Sequence, residues 1–226
     1  NQLFVGINRR VIIVMDDLDR LTQAELRLVF QLIKLNADFP NTIYLIAADR
    51  TIVENSLDTE QGISGREYLK KSVQVGFDVP PIDPAHIPGF LFSELENVVS
   101  QANAKYWNEI DFANLYYTNL KSLFVTFRDV KRFINGLVFN LRMVSTEVNA
   151  LDFVSLEALR IFLPEIHRTI AENKYLFITA FEERVDRDQL KARYEEIFDK
   201  ADAKPEIAKS ICMSLFPKVA GVFGKP

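Results

Sequence analysis

Two short apolar runs, each ending abruptly in acidic residues, constrain the fold of this chain more than any other feature. The first run covers residues 11–15 and is followed by Asp16 and Asp17, and the second covers residues 43–48 and is followed by Asp49. Short β-branched runs without polar alternation are typical of parallel strands that are covered on both faces. Because ligands bind outside the carboxyl ends of such strands, the acids predict a site at that edge of a sheet.

Helical patterns lie between and after these runs. Thr22 and Glu25 match a capping box, which predicts the start of a helix. Apolar residues on one broad face predict that this helix is well buried: Leu26, Leu28, Val29, Phe30, Leu32, Ile33, Leu35 and Ala37. Further helices are expected around residues 52–57 and 66–72, followed by a third strand at residues 73–79. Strands that alternate with helices in this way indicate an α/β fold.

The rest of the chain is expected to be all helical. A proline-rich connector, formed by Pro80, Pro81, Pro84 and Pro88, marks the change. We therefore predict an α/β domain over residues 1–83 and a helical domain over residues 84–226. Thr126 and Asp129 predict the start of one of its helices. The helices are expected near residues 88–104, 109–120, 127–144, 152–172, 186–200 and 205–215.

The composition excludes several classes of protein. The 226 residues include 27 Lys and Arg and 31 Asp and Glu, a net charge of −4, which argues against a nucleic-acid binder, including one that uses the helical half. Cys212 is the single cysteine, which excludes a disulfide framework and a cysteine-based metal cluster. His86 and His167 leave little material for a histidine-rich metal site. The chain begins at Asn1 rather than Met, so we expect a fragment of a longer protein.

The acids at the end of the first strand have the chemistry of a magnesium–nucleotide site. Mg²⁺ prefers oxygen ligands, and a carboxylate at a rigid strand end can hold it, so Asp16 is the candidate for the metal. A second carboxylate beside it can orient and polarise an attacking water, so Asp17 is the candidate for that role. The alternative is that Asp17 and Asp19 only cap the following helix, and for Asp19 we favour the cap.

Three residues farther along the chain have two interpretations each. Asp49 is suited to sensing a γ-phosphate or positioning water, and equally suited to capping the next helix. Arg128 and Arg132 lie one turn apart on a predicted helix. The guanidinium fork binds phosphate in two places and stabilises developing charge. A pair of arginines on a helix is also what an ordinary solvated face contains.

Five segments in order along the chain resemble the KAP family of P-loop NTPases, in the STAND-like and AAA-like ASCE branch. They are similar to the family's extended Walker B motif, sensor-1 strand, last core strand, arginine-bearing lid motif and a helix with an internal proline, here Pro164. The segments are residues 11–21, 41–53, 65–83, 126–137 and 151–174, and residues 214–219 also fit the end of the family domain.

The resemblance implies an ATP-binding switch with a partial parallel P-loop NTPase sheet and a C-terminal helical lid. Asp16 would hold Mg²⁺ and Asp17 would act on water. Asp49 would be the sensor-1 residue, and Arg128 or Arg132 would serve from the lid. Family members often carry membrane-spanning segments that tether a cytoplasmic domain to the inner face of a membrane. They include bacterial phage-exclusion proteins and a neuronal membrane scaffold, so phage exclusion and membrane-linked signalling are the expected settings.

One family motif is missing from the sequence. No G-x-x-x-x-G-K-[ST] loop, which cradles the phosphates, occurs in these residues. The resemblance implies that this Walker A loop lies upstream of Asn1, and that its strand lies between the second and third strands of the sheet. Without that strand, we expect either a gap or a repacked sheet, and a chain that alone neither binds nor hydrolyses ATP. The alternative function is a non-catalytic scaffold whose helical half binds a protein partner, although the Asp16–Asp17 pair favours the ATPase.

Overall fold

A computed structural model describes residues 10–35, 41–58, 64–102, 104, 106–178, 186–201 and 204–224. The chain divides into two compact units, Asn1–Pro80 and Pro81–Pro226. The first contains a small parallel sheet with its helices, and the second is helical. The predicted fold class, α/β followed by all-α, is therefore confirmed.

The N-terminal unit is built on two parallel strands, β1 (Val11–Met15) and β2 (Thr42–Ile46). A 3₁₀ turn (Leu18–Arg20) and helix α1 (Gln23–Leu35) follow β1, and helices α2 (Arg50–Leu57) and α3 (Gly65–Ser72) follow β2. The predicted capping box is present, because Glu25 Oε2 accepts hydrogen bonds from the Thr22 N–H at 2.9 Å and the Thr22 hydroxyl at 2.7 Å. These bonds also lower the pKa of Glu25.

The core of this unit lies on one side of the sheet. Its buried residues come from the 3₁₀ turn, α1 and α2: Leu18, Leu26, Phe30, Ile33, Val53 and Leu57. Met15, Tyr44 and Ile46 pack against this core from the strands. Helix α3 comes so close to α2 that a Cβ at Gly65 would lie 1.9 Å from the carbonyl oxygen of Glu54. Only glycine fits at that position.

The prediction that the strands are covered on both faces is wrong for the described residues. Ile12 and Val14 are 60% and 63% exposed, and Ile43 and Leu45 are exposed beside them. The helices of the unit cover only the face that carries Met15, Tyr44 and Ile46. For the same reason the broad apolar face of α1 is only partly buried: Leu28, Leu32 and Leu35 are exposed. Ala37, the remaining residue predicted for that face, lies outside the described residues.

The third predicted strand does not form. Residues 73–79 have no regular secondary structure, and their apolar side chains at alternate positions are exposed: Val73, Val75, Phe77 and Val79. A strand needs a neighbour for its N–H and C=O groups. In the described part of the chain, β1 and β2 pair only with each other. In the described residues neither expected outcome, a gap between two strands or a repacked sheet, is found, because the third strand itself does not form.

The second unit is a helical assembly around one continuous apolar core. The helix over Glu109–Leu115 passes into a π-helical turn (Tyr116–Leu120) and then a 3₁₀ turn (Lys121–Leu123). The predicted capping box at Thr126 and Asp129 begins the helix over Phe127–Val144. The helices are α4 (His86–Ala102), α5 (Glu109–Leu115), α6 (Phe127–Val144), α7 (Ala150–Phe162), α8 (Pro164–Glu172), α9 (Lys174–Phe177), α10 (Arg187–Phe198), α11 (Pro205–Leu215) and α12 (Pro217–Val222).

The long helix predicted over residues 152–172 is two helices, α7 and α8. The break is at Leu163, whose φ of −136° and ψ of 60° are not helical. Proline has no N–H to donate, and its ring disfavours the helical conformation of the residue before it. Pro164 therefore ends α7 and serves as the first residue of α8. The apolar periodicity continues across the break, which is why it predicted one helix.

A buried carboxylate, Glu157, lies between helices α6 and α7 and forms an ion pair with the partly exposed Arg160. The Glu157 side chain is 4% exposed, and its Oε2 accepts a hydrogen bond from Arg160 Nε at 2.8 Å. The Asn140 amide donates to both carboxylate oxygens, at 3.2 Å and 3.3 Å. Gly136 faces this group, because a Cβ there would lie 2.6 Å from Glu157 Oε1 and 3.0 Å from Ile161 Cδ1. Because Gly136 has no Cβ, the Glu157 carboxylate can occupy this space.

We predict that Gly136→Ala destabilises the helical unit by about 1–3 kcal/mol, because the new methyl group displaces a carboxylate held by Arg160 and Asn140. Gly89→Ala is the matched control. Gly89 also lies in a helix, but a Cβ there would meet nothing within 4 Å. Alanine should stabilise that site by about 0.5–1 kcal/mol. Urea denaturation followed by circular dichroism measures both changes, and equal signs for the two substitutions would contradict the assignment of Gly136.

Candidate functional site

The parallel pairing brings the strand-end acids to one edge of the sheet. Met15 lies opposite Ile46 at the carboxyl ends of β1 and β2, and the Ala47 N–H donates to the Met15 carbonyl at 2.9 Å. The chain leaves β1 through Asp16 and Asp17, and it leaves β2 through two alanines and then Asp49. All three aspartates are exposed. The edge predicted from the sequence is therefore present, with its acids open to solvent.

Asp17 has an unusual backbone conformation. Its φ of 56° and ψ of 32° lie in the left-handed region, and its N–H donates to Asp16 Oδ1 at 2.8 Å. Aspartate is one of the few residues besides glycine that tolerate this region, because its short side chain bonds locally. The turn leads the chain from β1 directly into the 3₁₀ turn, where Leu18 is buried in the small core. The two carboxylates are thus fixed at the strand end by backbone geometry.

Neither Asp17 nor Asp19 caps helix α1, contrary to the alternative interpretation of the sequence. Thr22 caps that helix. Asp17 precedes the 3₁₀ turn but makes no side-chain cap there, and Asp19 lies inside it. The Asp17 carboxylate instead forms an ion pair with Arg20 at 3.2 Å, with both side chains more than half exposed. Exposed pairs of this kind contribute only about 0.2–1 kcal/mol, so the pair does little to stabilise the fold.

Arg20 is a candidate residue that the sequence interpretation missed. The ion pair with Asp17 is the signal that identifies it, and the i,i+3 spacing of the two residues in the sequence is compatible with it. An exposed guanidinium beside a candidate metal site is suited to contacting a phosphate oxygen.

Asp49 caps helix α2. Its Oδ1 accepts hydrogen bonds from the Thr51 N–H at 2.9 Å and the Ile52 N–H at 3.1 Å. The helix cap, one of the two interpretations of Asp49 from the sequence, is therefore present. Because the cap uses Oδ1 and leaves the residue exposed at the edge of the sheet, it is compatible with a second role for the carboxylate.

The donor set at this edge fits magnesium bound together with phosphate. Mg²⁺ is usually held by one or two carboxylates, with waters and phosphate oxygens completing its shell. Asp16 and Asp17 supply two adjacent carboxylates of this kind. Among the residues that the structure describes, no group of three or more His, Cys, Asp or Glu side chains could hold a metal ion. Two carboxylates are within the number of protein ligands that Mg²⁺ usually takes.

Arg128 and Arg132 lie together on α6 in the helical unit. Both are exposed, and they follow the capping box in the first two turns of the helix. The Arg132 guanidinium lies over the ring of Phe162, 5.1 Å from its centroid, and its Nη2 is 4.0 Å from Asp129 Oδ1. The three acids therefore lie in the N-terminal unit, and the two arginines lie in the helical unit.

The two histidines and the cysteine lie in the helical unit. Cys212 is buried, and burial raises the pKa of its thiol to about 12, which disfavours the reactive thiolate. His86 is exposed at the start of α4. His167 lies in the first half of α8, because the break at Leu163 divides the helix predicted over residues 152–172. Burial, followed by the nearby Arg160, lowers its pKa and favours the neutral form.

Comparison with known proteins identifies the protein family. Residues 1–144 match the KAP family P-loop domain. The chain therefore belongs to the KAP family of P-loop NTPases. It is similar to the Phage T7 exclusion protein of Escherichia coli (strain K12), with 35% identity over 77 residues. That match covers 34% of this chain and 10% of the relative, so the chain spans a small part of that protein's length.

No solved structure matches the chain. In the described ranges, no helix is both long enough and apolar enough to cross a membrane.

We predict that Asp49→Ala loosens the N-terminal turn of α2, because two backbone N–H groups lose their acceptor. The expected loss is about 1 kcal/mol, the usual cost of removing an N-cap. Hydrogen exchange at the Thr51 and Ile52 amides measures it locally. Asp49→Asn is the control, because an amide oxygen also caps, and protection should then be close to that of the wild type. Equal protection in all three proteins would show that the cap is not formed in solution.

Proposed function

We propose that this chain supplies the magnesium-holding and water-positioning acids of an ATPase whose phosphate-binding loop lies outside these 226 residues. The observation that carries the proposal is the pair of exposed carboxylates, Asp16 and Asp17, at the carboxyl end of β1 in a member of the KAP family. Family membership supports nucleotide and Mg²⁺ as ligands of the whole protein. The sequence contains no Walker A motif, which supports a site whose phosphate-binding loop comes from another segment.

Asp16 and Asp17 have different roles in this proposal. Bound ATP with Mg²⁺ supplies the electrophilic γ-phosphate and neutralises its developing charge. Asp16 holds the metal or its waters from the rigid end of β1. Asp17 accepts a proton from the attacking water and orients it. The left-handed turn at Asp17 supports this division of roles. The turn is made by the backbone, and the Asp17 carboxylate forms no helix cap.

The remaining candidates act around this pair. Asp49 senses the γ-phosphate from the end of β2 while it caps α2. Arg128 and Arg132 offer cations from α6, where a guanidinium can stabilise charge on the transferring phosphate. We propose that ATP binding and hydrolysis change the position of the helical unit, which acts as a lid and makes the protein a conformational switch. The exposure of all three residues supports their access to a ligand.

The biological setting of this switch is proposed from the family. The similarity to a phage exclusion protein supports a role in phage exclusion, and membrane-linked signalling is the other setting that the family suggests. We place the ATPase unit in the cytoplasm, where ATP is supplied, with a tether to the inner face of the membrane provided by other segments of a longer protein. A protein partner would receive the conformational signal. Nucleic acid is disfavoured as a partner by the negative net charge of −4.

The decisive test is Mg²⁺-dependent ATP hydrolysis by a longer version of the protein that includes the phosphate-binding loop. Asp17→Asn and Asp16→Ala should each lower kcat at least about 100-fold, a barrier increase of about 2.7 kcal/mol. Asparagine tolerates the left-handed conformation, so Asp17→Asn should fold normally. Asp19→Asn is the matched control, because Asp19 belongs to the same acidic run but lies inside the 3₁₀ turn, and it should keep most of the activity.

Two outcomes would contradict the proposal. Variants of Asp16 and Asp17 that turn over like the wild type would leave the acids without a catalytic role. Loss of activity in Asp19→Asn equal to that in Asp17→Asn would point to general damage of the turn.

The chain of 226 residues by itself should neither bind nor hydrolyse ATP, because it lacks the loop that cradles the phosphates. Equilibrium dialysis with ATP and Mg²⁺ and a phosphate-release assay measure this directly. Magnesium-dependent turnover by a pure preparation of this chain would contradict the proposed division of the site.

A non-catalytic interaction module is the second candidate function. The observation that favours it is the exposed apolar face of the sheet, formed by Ile12, Val14, Ile43 and Leu45, because contiguous apolar patches mark contact surfaces. The ATPase test separates the two functions. A longer protein with an intact phosphate-binding loop that binds no nucleotide would favour the interaction module.

A further inference from the structure

The solvent-facing side of helix α6 carries an unusual set of side chains. Every exposed residue of the helix lies within about a third of its circumference, at about 3.6 residues per turn. These residues extend along about 22 Å of helix, at a rise of about 1.5 Å per residue. They form a surface that we call the α6 face: Arg128, Lys131, Arg132, Asn135, Phe139, Arg142 and Met143.

Two neighbouring helices flank the α6 face without covering it. Arg142 Nη2 donates to Gln101 Oε1 of α4 at 2.8 Å. The Arg132 guanidinium lies 5.1 Å from the centroid of the Phe162 ring of α7. Both arginines remain exposed, so the surface between α4 and α7 is open to solvent.

Two large apolar side chains lie in the C-terminal half of the α6 face. Phe139 and Met143 are one turn apart and are 73% and 74% exposed. Neither belongs to the apolar core of the helical unit. Single exposed apolar residues are normal on a protein surface, but aromatic residues, methionine and arginine are the types enriched where proteins bind each other. The α6 face combines all three types.

The α6 face is positively charged. It carries four cations, and Asp129 is the single acid of the helix. Asp129 Oδ2 accepts hydrogen bonds from the Thr126 N–H at 2.9 Å and the Thr126 hydroxyl at 2.8 Å, so this carboxylate is used by the cap. Within the described ranges, Arg128 and Lys131 form no ion pair or hydrogen bond. The face therefore favours a negatively charged partner, although the net charge of the whole chain is −4.

We propose that the α6 face binds an acidic amphipathic helix of a partner protein. Its positions 128, 132, 135, 139 and 142 are spaced by four and three residues, which is the spacing of a heptad seam. A second helix can pack along such a seam. The apolar side chains of that helix contact Phe139 and Met143, and its carboxylates pair with Lys131 and Arg142.

Binding at the α6 face needs no nucleotide, so the proposal goes beyond the ATPase. Arg128 and Arg132 extend the same surface and keep the phosphate role proposed above. The variants used to test the docking therefore leave these two arginines unchanged.

A helix fits the α6 face better than a nucleic acid or an anionic membrane does. Both of these also carry negative charge, but they extend well beyond the width of one helix. They would bring a chain with a net charge of −4 against a large negative surface. A single helix contacts only the positive strip, and its apolar side chains cover Phe139 and Met143.

The test is a titration of the 226-residue chain with a fluorescein-labelled peptide made of three repeats of Glu-Leu-Ala-Ala-Leu-Glu-Glu. Its leucines form an apolar seam that its glutamates flank. Fluorescence anisotropy should give a Kd of about 1–100 μM, because one helix face buries less surface than a stable interface does. The same peptide with Gln in place of Glu is the neutral probe, and it should bind at least about tenfold more weakly.

Phe139→Ser tests the apolar part of the contact. It should weaken binding of the acidic peptide at least about tenfold, because an aromatic anchor is lost. Ile110→Ser is the matched control, since Ile110 is 72% exposed on α5 instead of α6. It should change the Kd less than about twofold. Both side chains are exposed, so both variants should fold.

The double variant Lys131→Glu with Arg142→Glu tests the charges. It should bind the acidic peptide at least about tenfold more weakly, and bind a peptide with Lys in place of Glu more tightly by a similar factor. Damage to the fold would not produce such a gain. Lys174→Glu with Lys191→Glu is the matched control, because it makes the same change of charge on α9 and α10. Salt screens charges at a distance, so its Kd should change less than about threefold.

A labelled DNA strand and vesicles of phosphatidylserine and phosphatidylcholine serve as the other negatively charged probes. The proposal is overturned if either of them binds through Lys131 and Arg142 while the acidic peptide does not. It is also overturned if the neutral peptide binds as well as the acidic one, or if Ile110→Ser weakens binding as much as Phe139→Ser. A charge-reversed variant that shows no gain for the basic peptide would overturn it as well.

Discussion

The in-register parallel pairing of β1 and β2 is the interaction on which the N-terminal unit depends. Met15 lies opposite Ile46, so the strands end together and the chain turns out of both at one edge. Side chains alternate along a strand, and a slip of one residue would move every side chain to the other face. Met15, Tyr44 and Ile46 would then leave the core beneath α1. One register therefore fixes both the core and the position of the acids.

The strands carry apolar side chains on both faces, although the described helices cover only one. Ile12, Val14, Ile43 and Leu45 are exposed, yet a sheet face adapted to water normally carries polar residues at alternate positions. The alternating Val75, Phe77 and Val79 are exposed in the same way. These side chains suit a covered environment, in which a second layer and a neighbouring strand are present. This face of the sheet therefore carries the apolar residues of a protein interior, although it is exposed to solvent.

Features that depend on neighbouring residues were predictable from the sequence, and features that depend on distant partners were not. The capping boxes at Thr22 and Thr126 and the strand-end position of Asp16 follow from local patterns, and the structure contains all three. The segment 73–79 has the alternation of a strand, but pairing needs a neighbour that its own pattern cannot supply. The π-helical turn at Tyr116–Leu120 has no local signature, so the sequence predicted an uninterrupted helix over residues 109–120.

The conformation of Asp17 bears on whether its carboxylate is structural. A left-handed residue directly after a strand restricts the choice to glycine, asparagine and aspartate, and any of these would make the turn. The backbone alone therefore does not account for a charged side chain. Thr22 already caps α1, and the ion pair with Arg20 is exposed and weak, so local stability does not account for it either. A carboxylate that contributes so little to the fold is what the proposed water-positioning role of Asp17 requires.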